Sequence, residues 1–363
     1  MTSPIKILTL ALAFSFSINC ATAQSTYTYE VAKIYTDVYI LKPTISDYRW
    51  VTANIIVVVN ENDVLVVDSG LLPEAATEAI KEIRKITPKP VRYLVNTHWH
   101  GDHWQGNESF KKAFPGIDII ATEQTRLALQ ENGLVWVNKL YPKHYGAFVD
   151  TYEKAITDKN LYGEPLSDKQ VADLKIAIAD VRRDVDGIKK IVPVLPNVTF
   201  SERMVISDKK REIQILYFGV ANTGGDAIVF LPGEKILITG DLVVHPSPYE
   251  SGMFSPEWLD VMKKMNALDY TTLLPGHGEV QHDKAYVDFL IAFFGEIISQ
   301  VKAAYVTNGI SSVDDLKKVV TDKSVGDKLG QVAGYKSFLE HLGPGFVQAA
   351  VTTASRRIIQ GKK

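Results

Sequence analysis

Cysteine is nearly absent from this 363-residue chain, which has one, Cys20. That cysteine lies in an unusual opening stretch, where Lys6 precedes the apolar run ILTLALAFSFSI and then NCATAQ. A positive start, a short apolar core and a small-x-small site at Ala21–Ala23 read as a secretory signal peptide over residues 1–23, cut before Gln24. The run is too short to span a bilayer comfortably. Lipoprotein processing at Cys20 is the rival reading, disfavoured because Asn19 stands where a small residue is usual. Cutting after Ala23 leaves residues 24–363 without cysteine. Internal disulfides, a cysteine nucleophile and cysteine metal ligands are then excluded. The expected location is periplasmic or secreted.

A surplus of either charge is also missing. Forty Lys and Arg face 42 Asp and Glu, for a formal net charge of -2, so no general pull toward nucleic acid or anionic membrane is expected. Hydrophobic residues at 46% and charged residues at 23% are ordinary for a globular chain able to bury a core. No repeat or low-complexity tract stands out.

What is present reads as mixed α/β. Residues 27–42 alternate weakly and suggest a β-hairpin. In NIIVVVNENDVLVVDSG, Asn54 to Gly70, two β-branched runs flank a turn, as buried antiparallel strands would. PEAATEAIKEIRKI, Pro73 to Ile86, is a helix with proline near its start. VRYLVN and IDIIAT are further strands. From about 123 to 196 the pattern turns helical. Val171, Leu174, Ile178, Val181, Val185 and Ile188 recur in steps of three and four, behind a capping box at Ser167 and Gln170. This stretch is expected to be an insertion beside the core. Strands resume around 198–217 and in AIVFL and KILITGD. SPEWLDVMKKMNAL should start a helix with Ser255 as N-cap and Pro256 as first residue, and helices should continue from about 285 to 358.

Histidine is scarce too, at eight in the chain, yet three fall within six residues of THWHGDHW. His98, His100 and His103 with Asp102 are donor types that borderline and hard divalent cations accept. In a loop, H-x-H aims two imidazoles at one point, while Asp102 and His103 can face another. The bland alternative is a polar loop of hydrogen-bonded histidines, which three His and one Asp in this order outweigh. So local a cluster would not bury a metal well alone, and other strand-end loops should contribute. Asp241 closes the strand KILITGD and His277 sits in LLPGHG, with Gly240, Gly276 and Gly278 allowing close backbone approach. For Asp241 the bland alternative is a helix cap, and for His277 a loop histidine.

The order VVDSG, THWHGDH, NTGGDAIVFLP, TGDL and PGHG resembles the metallo-β-lactamase fold superfamily over roughly residues 27–290. The resemblance implies a four-layer αββα sandwich with metals where strand ends meet. On the matching positions it implies a first metal site with His98 and His100, and a second with Asp102, His103 and His277. Asp241 matches the bridging carboxylate of the family's hydrolases, and Asp68 an acid that orients the metal-binding loop. One position departs: Asn222 stands where the family places the first site's third histidine. It can ligate through its carbonyl oxygen, hydrogen-bond a metal-bound water, or merely cap a turn. An amide oxygen is a poorer donor to zinc than imidazole. One tight and one weaker zinc are therefore expected, with Asp102 ligating or acting as base.

His245, in GDLVVHPSPY, is read as a substrate contact or proton shuttle, or as a partly buried loop residue. Trp99 and Trp104 flank the histidines, and Trp136, Tyr141, His144 and Tyr145 lie in the insertion; each could line the pocket or simply pack. His282 and His341 have no motif around them and receive no role. The expected function is an exported zinc-dependent hydrolase of a small molecule, opening an amide or lactam, lactone or ester bond with a metal-activated hydroxide. Its partner is a small-molecule substrate, not nucleic acid, with no membrane span and no oligomeric state implied. Nuclease and flavin-dependent oxidoreductase members fit poorly, and the alkyl-sulfatase pattern differs at the cluster. A metallo-β-lactamase proper is the narrower alternative. The competing class is a non-catalytic metal- or ligand-binding protein that kept the fold.

Overall fold

The structure is a computed structural model that describes residues 27–44, 52–133, 141–161, 164–248, 255–332 and 346–361, with positions 135, 137, 335 and 338 between them. The stretch read as a signal peptide, and the residues Trp136 and His341, lie outside the described residues. So do the side chains of Tyr141 and His144.

Two sheets lie face to face. The first runs β1 (Tyr29–Tyr35), β2 (Val38–Pro43), β3 (Ile55–Val59), β4 (Val64–Val67), β5 (Val91–Val95), β6 (Asp118–Thr122) and then a strand from much later in the chain, Val198–Phe200. The first four strands pair antiparallel, as the hairpin patterns predict, and the remaining pairings are parallel. A two-strand hairpin, β7 (Asn160–Leu161) and β8 (Glu164–Pro165), precedes that late strand, which becomes β9. The second sheet is β10 (Arg203–Ser207), β11 (Glu212–Tyr217), β12 (Ala227–Leu231), β13 (Ile236–Ile238) and β14 (Thr272–Leu274).

Side-chain alternation assigns each strand two faces. Ile56, Val58, Leu65 and Val67 point inward to meet Ile215, Val229, Ile236 and Ile238 of the second sheet. The alternate residues Ile55, Val57, Val64 and Val66 point outward, under α1 (Pro73–Ile86). That is why these strands are apolar at every position. The short helices α2 (Gly101–Trp104) and α3 (Asn107–Ala113) follow β5, and Phe110 joins the same layer.

The segment 123–196 carries α4 (Glu123–Ala128), a π-helical turn (Leu129–Gly133), α5 (Tyr141–Asp158) and α6 (Asp168–Ile188). Ser167 and Gln170 form the expected capping box on α6. Leu174, Ala177, Ile178, Val181 and Ile188 pack with Val149, Tyr152 and Leu72. Leu174 is wholly buried, so its truncation to alanine costs about 2–5 kcal/mol. The Tyr27 hydroxyl donates to buried Asp184 of α6 at 2.7 Å, tying the segment entering β1 to this helix.

On the far side, α7 (Ser255–Asn266) and α8 (Ala285–Val306) cover the second sheet, with α9 (Val313–Val319), α10 (Asp322–Leu329) and α11 (Phe346–Gln360). The first of these helices begins at Ser255 itself, one residue earlier than its cap pattern suggests, within the ordinary scatter of helix ends. By length and composition α8 is apolar enough to cross a membrane. Here Val287, Leu290, Phe293, Phe294, Ile297 and Val301 are buried against the helices and the sheet. The four layers are therefore α1 and α3, the first sheet, the second sheet, and α7 and α8, which is the αββα sandwich expected.

Candidate metal centre

Five strand ends meet at one edge of the sandwich. The chain leaves β4 into Asp68, which takes a left-handed conformation at φ +64 that Asp tolerates better than most residues. Its carboxylate is buried and accepts from Thr97 N–H at 2.8 Å and from Thr97 Oγ1 at 3.0 Å. It also lies 2.7 Å from His103 Nδ1. An ionised carboxylate only accepts, so Nδ1 carries the hydrogen and Nε2 faces the cluster. Asp68 thus braces the loop that carries His98 to His103, through Thr97 and His103.

The cluster read as a loop is only half one. His98 lies in a bend after β5, whereas Asp102 and His103 ride on the single helical turn α2 with His100 as its N-cap. Six residues are too few to show a helical period. The His103 carbonyl accepts from Ser69 N–H at 3.1 Å and from Asn96 Nδ2 at 2.9 Å. Asn96 and Asn107 exchange amide hydrogen bonds of 3.0 and 2.8 Å, which pins that turn from beneath. Sequence reading missed this bracing pair; the only available signal was an asparagine at each end of the motif.

Asp241 follows β13 in a 3-10 turn (Gly240–Leu242), and His277 follows β14. Glycine makes their approach possible. A Cβ on Gly276 would fall 2.1 Å from Asp241 Oδ1, and Gly278, at φ +82, would meet the His245 carbonyl oxygen at 1.9 Å.

The donors fall into two groups, His98–His100–Asp241 and Asp102–His103–His277, each with its ligand atoms within 4.8 Å of one another. Asp241 reaches both. Its Oδ2 is 3.5 Å from His98 Nε2, while Oδ1 is 3.4 Å from His103 Nε2 and 3.3 Å from His277 Nε2. His277 Nε2 is 3.1 Å and His103 Nε2 3.4 Å from Asp102 Oδ2. Nε2 of His98, His103 and His277, Oδ2 of Asp102 and Oδ1 of Asp241 are buried without a hydrogen-bond partner. Each such atom costs about 1–3 kcal/mol unless something occupies its lone pair or hydrogen. Convergent imidazole nitrogens and carboxylate oxygens fit a divalent cation in each group.

Burial and charge divide the two groups further. Burial, reinforced by the neighbouring His103, pushes His98 well below the ordinary histidine range, and burial also lowers His100. Burial opposes the charged form of His103, yet Asp102, Asp241 and Asp68 outweigh it and hold that ring well above the ordinary range. His277 is likewise raised to about 9: burial lowers it, but the Asp241 charge and the contact with Asp102 prevail. For Asp241, burial raises the carboxyl, but His103, His277 and His98 hold it well below the ordinary range.

Asn222 and Asp226 lie in the loop between β11 and β12, both buried. The Asn222 amide nitrogen donates to Asp226 Oδ1 at 3.4 Å, and Asn222 Oδ1 is buried without a hydrogen-bond partner. Burial pushes Asp226 up to about 7 against the hydrogen bonds from Thr223 and Asn222. His245 is not part of either group. Its backbone runs beside His277, and its ring meets Tyr286 edge-on at 5.0 Å. Trp104 is buried, donates to the Trp99 carbonyl at 2.9 Å and abuts Gly133, so it packs the insertion. Tyr145 packs there too. The Trp99 ring stands 5.1 Å from that of His100, and His282 is exposed.

The sequence profile of the Metallo-beta-lactamase superfamily matches residues 48–277, and the chain belongs to that superfamily. Among solved structures it is similar to the metallo-beta-lactamase from Pontibacter korlensis, with 18% identity and a TM-score of 0.52 over 74% of this chain and 99% of that one. It is similar also to VMB-1, at 19% identity and a TM-score of 0.51 over 74% and 96% of the two chains. At such identities the likeness concerns the fold. A linear primary-alkylsulfatase of Pseudomonas sp. (strain ATCC 19151) is 22% identical over 317 residues, 82% of this chain. The chain spans 53% of that relative's length. The likeness reaches a kind of protein that the cluster pattern had set apart.

Proposed function

We propose that the protein is an exported zinc-dependent hydrolase that opens an amide or lactam, lactone or ester bond of a small molecule. The observation that carries this reading is the reach of Asp241, one carboxylate within 3.5 Å of imidazole nitrogens from both donor groups. Superfamily membership supports hydrolytic chemistry, and fold alone does not choose the substrate. Metal ions bound in the two groups would supply an acidified water and a Lewis acid.

The chain's own residues do the positioning. Asp241 holds the two groups in fixed separation. Asp68 keeps the hydrogen of His103 on Nδ1, so that Nε2 stays available. Asp102 closes the second group, as a ligand or as a base. His98 and His103 are wholly buried while His100 and His277 are half-buried, so substrate approaches from the side of the latter pair. The Trp99 ring lies beside His100 and the His245 segment beside His277, which supports a reading of both as substrate contacts. The signal-like first 23 residues support export, and the balanced charge supports a small-molecule substrate over nucleic acid.

Purified protein reconstituted with zinc should hydrolyse members of a lactone, ester and lactam panel that includes nitrocefin. Chelation should abolish the activity and zinc should restore it. Loaded protein that turns over nothing in the panel yet binds a ligand would favour the non-catalytic reading. The alkylsulfatase likeness, over 82% of this chain, supports a second reading in which the bond is a primary alkyl sulfate ester. Sulfate release from a medium-chain alkyl sulfate, with the carbonyl panel silent, would select it.

A further inference from the structure

The five-residue segment from Asn222 to Asp226 is clamped on both sides. The Gly225 carbonyl accepts from Thr122 Oγ1 at 2.7 Å and from Thr125 Oγ1 at 2.8 Å, at the start of α4. A Cβ on Gly225 would fall 2.6 Å from the Thr125 nitrogen, so nothing larger fits. Next along the chain, Ala227 N–H donates to the Thr97 carbonyl at 2.8 Å, one residue from His98. Asp226 cannot swing within this clamp, because its Oδ2 accepts from Thr223 N–H at 2.7 Å. Its carboxylate is near enough to Asp241 for the two charges to repel. The movable group left is the Asn222 amide, whose nitrogen reaches back to Asp226 Oδ1 and whose oxygen is buried without a hydrogen-bond partner.

An amide has two unlike ends, and a carboxylate accepts from only one of them. We infer that Asp226 is a positioning residue that takes the nitrogen end of Asn222 and thereby turns the oxygen end toward the His98–His100–Asp241 group. Asparagine in place of histidine is then not simply a lost ligand. It is an oxygen donor whose direction is set from behind by a carboxylate, as a carboxylate behind a ligating imidazole sets its free nitrogen. The inference rests on the metal-site reading above, and it needs no particular substrate.

Asp226→Asn supplies the test. Thr223 N–H will hold the oxygen of the introduced amide, which leaves its nitrogen facing Asn222. Asn222 must then offer its own oxygen backward and its nitrogen forward, where a cation is repelled. The exchange variant Asn222→Asp with Asp226→Asn restores an oxygen, because the introduced amide donates to the introduced carboxylate and leaves the other carboxylate oxygen facing forward. Zinc affinities are read above pH 7, where Asp226 is ionised, by competition with a chromophoric chelator, and the cobalt absorption spectrum reports the donors.

In Asp226→Asn the first-group equivalent should weaken by about 10- to 100-fold while the equivalent at Asp102–His103–His277 is retained, as expected for loss of a ligand's supporting partner. The exchange variant should recover at least the original affinity. The retained equivalent and an unchanged melting curve show that a variant is folded. If the single variant does not fold, the exchange variant alone carries the test. Unchanged first-group affinity in Asp226→Asn overturns the inference, and so does an exchange variant that is folded but not rescued. A starting protein that holds only one equivalent overturns it as well. Absence of hydrolysis across every substrate, with these metal results intact, removes the proposed function and leaves the inference standing.

Discussion

The two donor groups share an aspartate and a sandwich edge, but they are built on different electrostatic plans. His98 and His100 are held below the ordinary histidine range, chiefly by burial, and so present neutral nitrogens. His103 and His277 are held above it by carboxylates, and so carry protons at neutral pH in the absence of a cation. The second group is also the braced one. Asp68 grips His103, and the Asn96–Asn107 pair grips the turn beneath it. The first group, under the inference drawn above, is completed by a neutral amide. One group is therefore preset in protonation and weak in donors; the other is strong in donors but must shed protons to load.

The comparison can be broken most decisively at the residue both groups share. Asp241→Ala should remove both metal equivalents and reduce turnover by more than the about 100-fold that loss of a supporting partner costs. Metal content by atomic emission and kcat/KM measure this, and retention of both equivalents would deny the bridge. Next, His277→Ala and His100→Ala should separate the groups. The first should release the second-group equivalent, and the second only the first-group equivalent. Loss of the same equivalent in both variants would mean that the groups do not act as two sites.

A smaller effect is expected from Asp68→Asn, which should weaken the second-group equivalent by about 10- to 100-fold and the other far less. The finest prediction concerns protons. A raised pKa means that the proton competes with metal up to that pKa, so second-group affinity should climb as pH rises and level off near 9, the value for His277. First-group affinity, with its imidazoles already neutral, should be nearly flat once pH has passed the about 7 at which Asp226 ionises. Between the about 7 of Asp226 and the about 9 of His277, calorimetric titrations in buffers of different ionisation enthalpy should show proton release only with the second-group equivalent. Equal release from both would erase the distinction.

Local patterns carried far in the sequence. The helix at Pro73–Ile86, the Ser167–Gln170 capping box and the hairpin either side of Asp63 are short-range signals, and each has its counterpart in the structure. Strand partners across distance were not legible. Val198–Phe200 and Arg203–Ser207 look like one run of strand, yet the first joins β6 in one sheet and the second opens the other. Only packing against helices outside and a sheet inside decides that. At the site, residue types and order disclosed the donors. The resemblance marked Asp241 as a bridging carboxylate, and it does reach imidazole nitrogens of both groups, but nothing disclosed that Asn96 and Asn107 lock together or which end of Asn222 is engaged. Those depend on side-chain geometry at the scale of a few ångströms, which residue order does not carry even when the partners are 11 or 4 positions apart.

The Tyr27–Asp184 hydrogen bond joins positions 157 residues apart. In the order in which a chain is made, the segment entering β1 comes first and α6 much later. The metal motif lies between them. Closing so long a loop costs entropy, which is repaid only once α6 has docked. The leading segment is thus left without its buried anchor until most of the first sheet exists. Under the proposed export, that is the end a translocation machinery must hold in an extended state. A late lock leaves it free to be held, and can shut only once α6 has followed.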